Sequence, residues 1–309
     1  MRHTTKAFTL IELLFVIVIM GIVGGMTLNV ISEYYEGIYR TDVYTKRGAE
    51  ADRILGQVSK YFENAIDYSI VNLDENQTDS GLNGTCVGRP SGTTTGDFTV
   101  AFVMIDVDSL RTFGKPGWSE NVLPAPFLGT TLTSNDANFT NANNTITALY
   151  PESNLNNSVI YNHQGSTYGC SSFNWNNDGN KSAYFTITNV VDNTLTLTDN
   201  SNEPSFDNDR KYLIQTGYAF RVLNDGRFMM YNNFRPWRGE RYTTATRQNV
   251  LGENVAHFYA DTTELHGEQG EVGLLWRLKV CMRGLNENLS DSENEANTIC
   301  REKRVHVRY

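Results

Sequence analysis

The hydropathy pattern divides the chain at once. From Leu13 to Ile31 no side chain carries a charge. As a helix, that run rises about 28 Å, close to the roughly 30 Å hydrocarbon core of a bilayer. It is longer than the apolar core of a typical signal peptide, about 7–15 residues, and no small-residue cleavage motif follows it. A short basic segment precedes it, and Arg2 and Lys6 predict an N-terminus held on the cytoplasmic side. No second comparable stretch occurs. The pattern predicts one membrane anchor followed by a large exported portion.

Past Ile31 the period changes. Ile54, Val58, Tyr61, Phe62 and Ala65 recur at helical spacing on one face, and Arg53, Lys60, Glu63 and Asp67 fall elsewhere. The spacing predicts one long helix from about Thr9 to about Tyr68, membrane-embedded first and amphipathic later. Its apolar face would pack on the head, so Tyr61 and Phe62 are read as core. Turn residues then dominate in "NLDENQTDSGLNGTCVGRPSGTTTGD". Short β-like runs follow: "FTVAFVMI", "TITALY", "SVIYN", "AYFTIT", "TLTLT", "KYLIQTGYAFRVL", "RFMMYN", "VAHFYA", "VGLLWRLKVC" and "KRVHVRY". "LNDGRF", around Asp225-Gly226, is a hairpin signal. Val272, Leu274, Trp276, Leu278 and Val280 alternate with Gly273, Leu275, Arg277, Lys279 and Cys281, the signature of a half-buried antiparallel strand. Val305 and Val307 repeat it against Arg304, His306 and Arg308. The expected fold is α+β: a long N-terminal helix, transmembrane then amphipathic, packed on a mostly antiparallel β-sheet head. The expected divisions are a short N-terminal segment at 1–7, the membrane half of the helix at 8–31, its amphipathic half at 32–70, and the head at 71–309.

Glu12 stands against the logic of the first segment. A charge costs about 2.5–3.5 kcal/mol at the centre of a membrane helix and less near its end. One reading is a carboxylate snorkelling at the membrane edge. The other is a carboxylate with a partner that neutralises it, since an acid within a membrane segment marks a functional position.

The residues around Glu12 favour the second reading. Ala7-Phe8-Thr9-Leu10-Ile11-Glu12, followed by an unbroken apolar run, resembles the N-terminus of type IV prepilins and type II secretion pseudopilins. The resemblance implies a leader, residues 1–7, cut between Ala7 and Phe8 by a membrane-embedded prepilin peptidase, with methylation of the new amino group of Phe8. It implies that Glu12, then the fifth residue, pairs with the Phe8 ammonium of a neighbouring subunit. A buried charge is tolerated when paired and strongly unfavourable when not, so Glu12 would select subunits in register. The chain departs from the usual pattern in two ways. Ala7 stands where the family usually has Gly, and the anchor helix lacks the Pro that many members carry, the first Pro being Pro90. Gly21, Gly24, Gly25, Gly37 and Gly48 become the weak points of the helix. Gly21 and Gly25 also make a G-x-x-x-G step, which permits close helix approach. Farther on, "VLGENVAHFYA" before a long apolar strand resembles the larger minor pilins and the J-type pseudopilins.

Composition fits an exported structural protein. The net charge is −9, and loss of Arg2 and Lys6 takes it to −11. An acidic surface disfavours nucleic acid and favours solubility. Roughly 240 residues follow the stem, enough for one large or two small domains. Most pilus-shaft subunits of the family are much shorter, so the resemblance implies a minor subunit.

Four cysteines, Cys86, Cys170, Cys281 and Cys300, all lie in the exported part, where an even count favours disulfides. Three pairings are open. Cys281–Cys300 with Cys86–Cys170 is preferred, the first clipping the polar excursion "MRGLNENLSDSENEANTI" and contributing ~3 kcal/mol on a chain-entropy basis. The resemblance points the same way, since pilin heads often carry a C-terminal disulfide loop. A zinc site is disfavoured: no C-x-x-C occurs and the histidines are scattered.

Other stretches hold candidate chemistry. Asn174, Asn176, Asp178 and Gly179 have the spacing that opens an EF-hand loop, but its twelfth position is Phe185 where a bidentate Glu is required, so the stretch reads as a turn. Asp199, Glu203, Asp207 and Asp209 form an acidic loop. Some pseudopilins bind calcium through such loops, and the resemblance implies calcium as the one ion this loop could take; no other cofactor is expected. Stretches centred on Asn76, Asn138 and Asn180 fit a bacterial acidic N-glycosylation pattern. "FRPWRGERYTTATR" interleaves Arg235, Trp237, Arg238 and Arg241, a set that can stack on bases or grip a partner. The acidic surroundings favour a solvated hairpin with local salt bridges instead. No Ser/His/Asp elbow, phosphate-binding loop or H-E-x-x-H occurs.

The leading expectation is a non-enzymatic minor pilin-like subunit that initiates or caps a type IV pilus or type II secretion pseudopilus. It would sit in the inner membrane as a single-pass protein with its head in the periplasm. Its partners would be prepilin peptidase, other minor pilins or pseudopilins, and inner-membrane lipid. An adhesive or DNA-binding tip subunit is the second expectation, and a membrane-anchored exported enzyme the third.

Overall fold

The computed structural model describes residues 10–74, 85–90, 98–106, 131–133, 138–161, 169–199, 212–264, 274–284 and 298–307. It begins with one helix, α1 (Leu10–Phe62), which no proline interrupts. Every residue from Leu10 to Asp42 is exposed. Burial starts at Gly48 and continues at Ala51, Ile54, Leu55, Val58, Ser59 and Phe62, the 3- and 4-residue steps of a single helical face. The helix ends earlier than its apolar pattern predicts. Asn64 and Ala65 donate to the carbonyls of Tyr61 and Phe62, tightening the last turn, and Ala65 then bridges Met104. Asp67–Ser69 forms a separate 3-10 turn. Pairing of Ala65 with Met104 and of Ile66 with Val103, and the 3-10 turn after them, therefore replace the last helical turn that the pattern predicts.

The head is built of antiparallel strands. β1 (Val71–Asp74), β2 (Thr85–Gly88), β3 (Phe98–Ile105), β4 (Thr131–Thr133), β5 (Val159–Tyr161), β6 (Tyr184–Val191), β7 (Thr194–Asp199) and β8 (Tyr212–Val222) form a sheet in the order β2-β1-β3-β8-β5-β6-β7-β4. β9 (Phe228–Phe234) joins β8 and carries β10 (Arg247–Gly252) on its other side. β11 (Val255–Glu264), β12 (Leu274–Met282) and β13 (Ile299–His306) make a second, three-stranded sheet. The chain is thus α+β, a long helix with a mostly antiparallel head.

The buried end of α1 lies between the two sheets. Ile54, Leu55, Val58 and Phe62 share one core with Val100, Phe102, Tyr218, Phe220 and Met230 of the large sheet, and with Trp276, Leu278, Val280 and Val305 of the small one. Phe62 is the hinge pin of this layer: its ring centroid is 4.7 Å from Phe102 and 5.9 Å from Trp276. The opposite face of the large sheet, with Ala101, Val103, Ala219 and Tyr231, covers a second core around Phe173, Tyr184 and Trp237. The large sheet is therefore buried on both faces there.

Two polar side chains of β13 reach back over the helix. Arg301 lies across Gly48, where a Cβ would stand 2.8 Å from its Nη2, and its Nε is 3.6 Å from Asp52. Lys303 Nζ donates to Ser59 Oγ at 2.7 Å. Their aliphatic stems cover the helix while their charges stay at its edge.

One β-like run is a helix. "TITALY" ends α2 (Phe139–Leu149). Asn138 caps it, its side chain accepting from the Asn141 N–H at 2.9 Å. Phe139, Ala142 and Ile146 then point to a third core with Leu132, Leu155 and Leu195. The helical period starts at Phe139, six residues before the run that alternation picks out.

Candidate functional site

The exposed half of α1 is the candidate assembly surface. Leu13, Leu14, Phe15, Ile17, Ile19, Met20 and Ile22 are each at least 55 % exposed. An apolar surface of this extent is not left in water. This is the one described helix long and apolar enough to cross a membrane. Glu12 stands near the start of the described helix. Gly21, Gly24 and Gly25 have no non-local atom within 4 Å of a built Cβ, so this stretch leaves room for a closely packed neighbour. Ala7 and Phe8 lie outside the described residues.

The two cysteine pairs hold the head. Cys86 of β2 is joined to Cys170, and Cys281 to Cys300. The second pair sits directly opposite in register on β12 and β13, with Cα atoms 4.0 Å apart. It closes the polar excursion at its root.

The Arg/Trp stretch is not a surface comb. Arg235 is 6 % and Trp237 3 % exposed. Arg235 Nη1 pairs with Glu240 at 3.0 Å, and Nη2 donates to Ser153 Oγ at 2.6 Å and to the Glu152 carbonyl at 3.2 Å. Trp237 Nε1 donates to the Asn157 carbonyl at 2.9 Å, and its ring packs 5.4 Å from Tyr184. Arg238 donates to the Asn157 side chain. Arg241 is partly buried, which lowers its pKa, while the neighbouring Tyr242 opposes the shift. These residues pin the 151–158 segment to β9 and the turn after it. The expectation of Arg235 and Trp237 as base or partner contacts is corrected, because neither presents a free face. Behind them, burial pushes the Tyr184 phenol well above its ordinary pKa, with Tyr161 adding to the shift.

The Asn-rich turn is likewise occupied by its own backbone. Asn174 Oδ1 accepts from Gly179 N–H at 2.9 Å, while its amide donates to the Pro236 carbonyl at 2.7 Å. Asn176 Oδ1 accepts from Cys86 N–H at 2.8 Å, and Asp178 Oδ1 from Asn180 N–H at 2.9 Å. Asn180 is exposed on this turn, and Asn138 is the α2 cap; Asn76 lies outside the described residues. Asp199 ends β7, and Glu203, Asp207 and Asp209 lie outside the described residues. Among the described residues no group of three or more His, Cys, Asp or Glu side chains is placed to hold a metal ion.

What sequence reasoning missed is the buried polar network of Asn233, Ser153 and Arg235, in which Asn233 Oδ1 accepts from Ser153 Oγ at 3.0 Å. Asn233 has φ 63°, in the left-handed region where Asn is tolerated better than most residues. Its partner Ser153 lies eighty positions away, so no local pattern announces the network.

Comparison with known proteins adds one match. Residues 2–28 fit the family model of the prokaryotic N-terminal methylation motif. No curated protein and no solved structure matches the chain. The motif is a prepilin peptidase substrate signal, and with the apolar helix it supports a membrane-anchored, type IV pilin-like subunit.

Proposed function

We propose that this chain is a minor subunit that initiates or caps a type IV pilus or a type II secretion pseudopilus, and that its role is structural rather than catalytic. The observation that carries the reading is the division of α1. Its first half is apolar, exposed and bears Glu12 within the methylation motif, while its second half is locked into a large head. Prepilin peptidase cuts between Ala7 and Phe8, and the new ammonium of Phe8 is methylated. Arg2 and Lys6 hold the leader on the cytoplasmic side of the inner membrane, and the head folds in the periplasm. Glu12 pairs with the Phe8 ammonium of an adjacent subunit, and that charge pair offsets the cost of a carboxylate in lipid and favours the assembled register. The disulfides suit the oxidising periplasm. A head of this size crowds a shaft and suits a terminal position.

Replacing Glu12 tests this. Glu12→Ala should remove the subunit from sheared filaments or from cross-linked minor-subunit complexes, while the head keeps its melting temperature and both disulfides. Normal incorporation of the variant would overturn the pairing.

A further inference from the structure

Above the apolar run, α1 carries a second, shorter stripe. Tyr34, Tyr35, Ile38 and Tyr39 are 67, 66, 48 and 62 % exposed. By helical spacing they share one side of the helix with Ile31. Eighteen residues complete five turns, so the same side farther up is marked by Asp52, Arg53, Gly56 and Gln57. Asp52, Arg53 and Gln57 are exposed and Gly56 half-buried. Asp52 pairs with Arg301 and Arg53 donates to the Leu251 carbonyl at the rim of the head, so this side lies away from the buried face of Ile54, Val58 and Phe62 rather than free of all contact. The charges of the bare stem lie mostly on its other side, where Glu36 and Arg40 form a pair at 3.9 Å.

The stripe has an upper edge. One turn above Ile38 and Tyr39 the same side turns polar, with Asp42 and Lys46 paired at 2.7 Å. It therefore occupies a narrow band starting about 4–5 Å past Ile31 and ending about 12 Å past it. The polar headgroup region adds roughly 5–8 Å to each side of a bilayer core. Helical side chains lean back toward the N-terminus, here toward the membrane. That lean carries the Tyr34, Tyr35 and Tyr39 rings down into the headgroup band.

We propose that Tyr34, Tyr35, Ile38 and Tyr39 form a one-sided interfacial anchor that lies in the phospholipid headgroup layer and tilts α1 toward that side. Three features select lipid as the occupant. The stripe is continuous with the membrane-spanning run. It is tyrosine-rich rather than leucine-rich, and tyrosine concentrates at membrane–water interfaces, where its ring and hydroxyl meet different media. It also stops within headgroup depth instead of continuing up the stem, as a helix-packing seam would. Because the head packs mainly on the other face of α1, that of Ile54, Val58 and Phe62, the tilt lowers the stripe into the bilayer ahead of the head. The proposal rests on the membrane anchor alone, so it stands or falls separately from the filament reading.

Site-directed spin labelling of the full chain tests this, one molecule per nanodisc of phosphatidylethanolamine and phosphatidylglycerol. All four native cysteines are in disulfides, so an introduced cysteine is the sole thiol. Labels replacing Tyr34, Tyr35, Ile38 and Tyr39 should show severalfold lower collision with a water-soluble nickel chelate than labels replacing Glu33, Glu36 and Arg40, and higher collision with oxygen. Equal nickel access at all seven positions would overturn the proposal. Protection from both reagents at the stripe would also overturn it, because the face would then be covered by protein.

Discussion

The two halves of α1 have the same backbone and opposite surroundings. From Leu10 to Asp42 the side chains are exposed, and most of the run to Ile31 is apolar. From Gly48 to Phe62 one face is buried between two sheets. In the upper half the apolar face has protein partners at helical spacing, and Ile54, Val58 and Phe62 are fully covered. In the lower half the apolar residues surround the whole helix, the arrangement of a segment solvated by lipid or by neighbouring helices. The difference teaches that a continuous helix can serve two media, with the boundary marked by where apolar positions narrow from a full circle to a stripe.

The sharpest way to break that contrast is to truncate one large apolar side chain in each half. Phe62→Ala should cost the head about 3–5 kcal/mol, the usual range for a buried phenylalanine. Phe15→Ala, at 62 % exposure, should leave head stability unchanged. Urea unfolding followed by tryptophan fluorescence reads both. A comparable loss at Phe15 would mean that the lower half packs on the head.

Glycines give a smaller and signed version of the same comparison. A Cβ on Gly252 would stand 2.4 Å from Cδ1 of the fully buried Ile54, so Gly252→Ala should destabilise by about 1–3 kcal/mol through overpacking. Gly25 has open space around it. Gly25→Ala should therefore leave the head unaffected and raise the helicity of the anchor, which circular dichroism in detergent can follow. A loss of head stability at Gly25 would contradict the division.

The smallest effect lies in the exposed hairpin and serves as a control. The Asp225 carboxyl is held below its ordinary pKa by the Arg227 backbone N–H first and by the Arg227 side chain next. A depressed carboxylate pKa contributes stability above the unfolded value and loses it as pH falls through the folded one. Asp225→Asn should thus lower head stability slightly near neutral pH, leave it unchanged below the folded pKa, and so flatten the acid limb. A change larger than that of Gly252→Ala would mean that the hairpin is not the solvated turn it is taken to be.

Much of this fold is legible in the sequence because it rests on local periodicity. "FTVAFVMI" is β3, and the alternation of Trp276, Leu278 and Val280 against Arg277 and Lys279 matches the buried and outer faces of β12. The Asp225-Gly226 turn is a hairpin with Gly226 at φ 86°. The misses have non-local causes. Ala65 is drawn from the helix into a bridge with Met104, a partner that no window around Ala65 contains. α2 depends on a cap at Asn138 and on a core shared with Leu195 and Leu197. Arg235 and Trp237 look like a surface motif because charge beside aromatics is usually exposed; here Glu240, Ser153 and Asn157 bind them from the inside. The apolar N-terminal run is different again. Its residues are readable because lipid imposes a demand on every position, and the methylation motif at 2–28 is short and continuous.

The central claim is that this chain is processed and assembled as a pilin-like subunit. The most direct test is the mass and N-terminal sequence of the protein taken from its native membranes. The account predicts a chain that starts at methylated Phe8, with Glu12 as its fifth residue. A chain that starts at Met1, or one cut beyond Ile31, would contradict it.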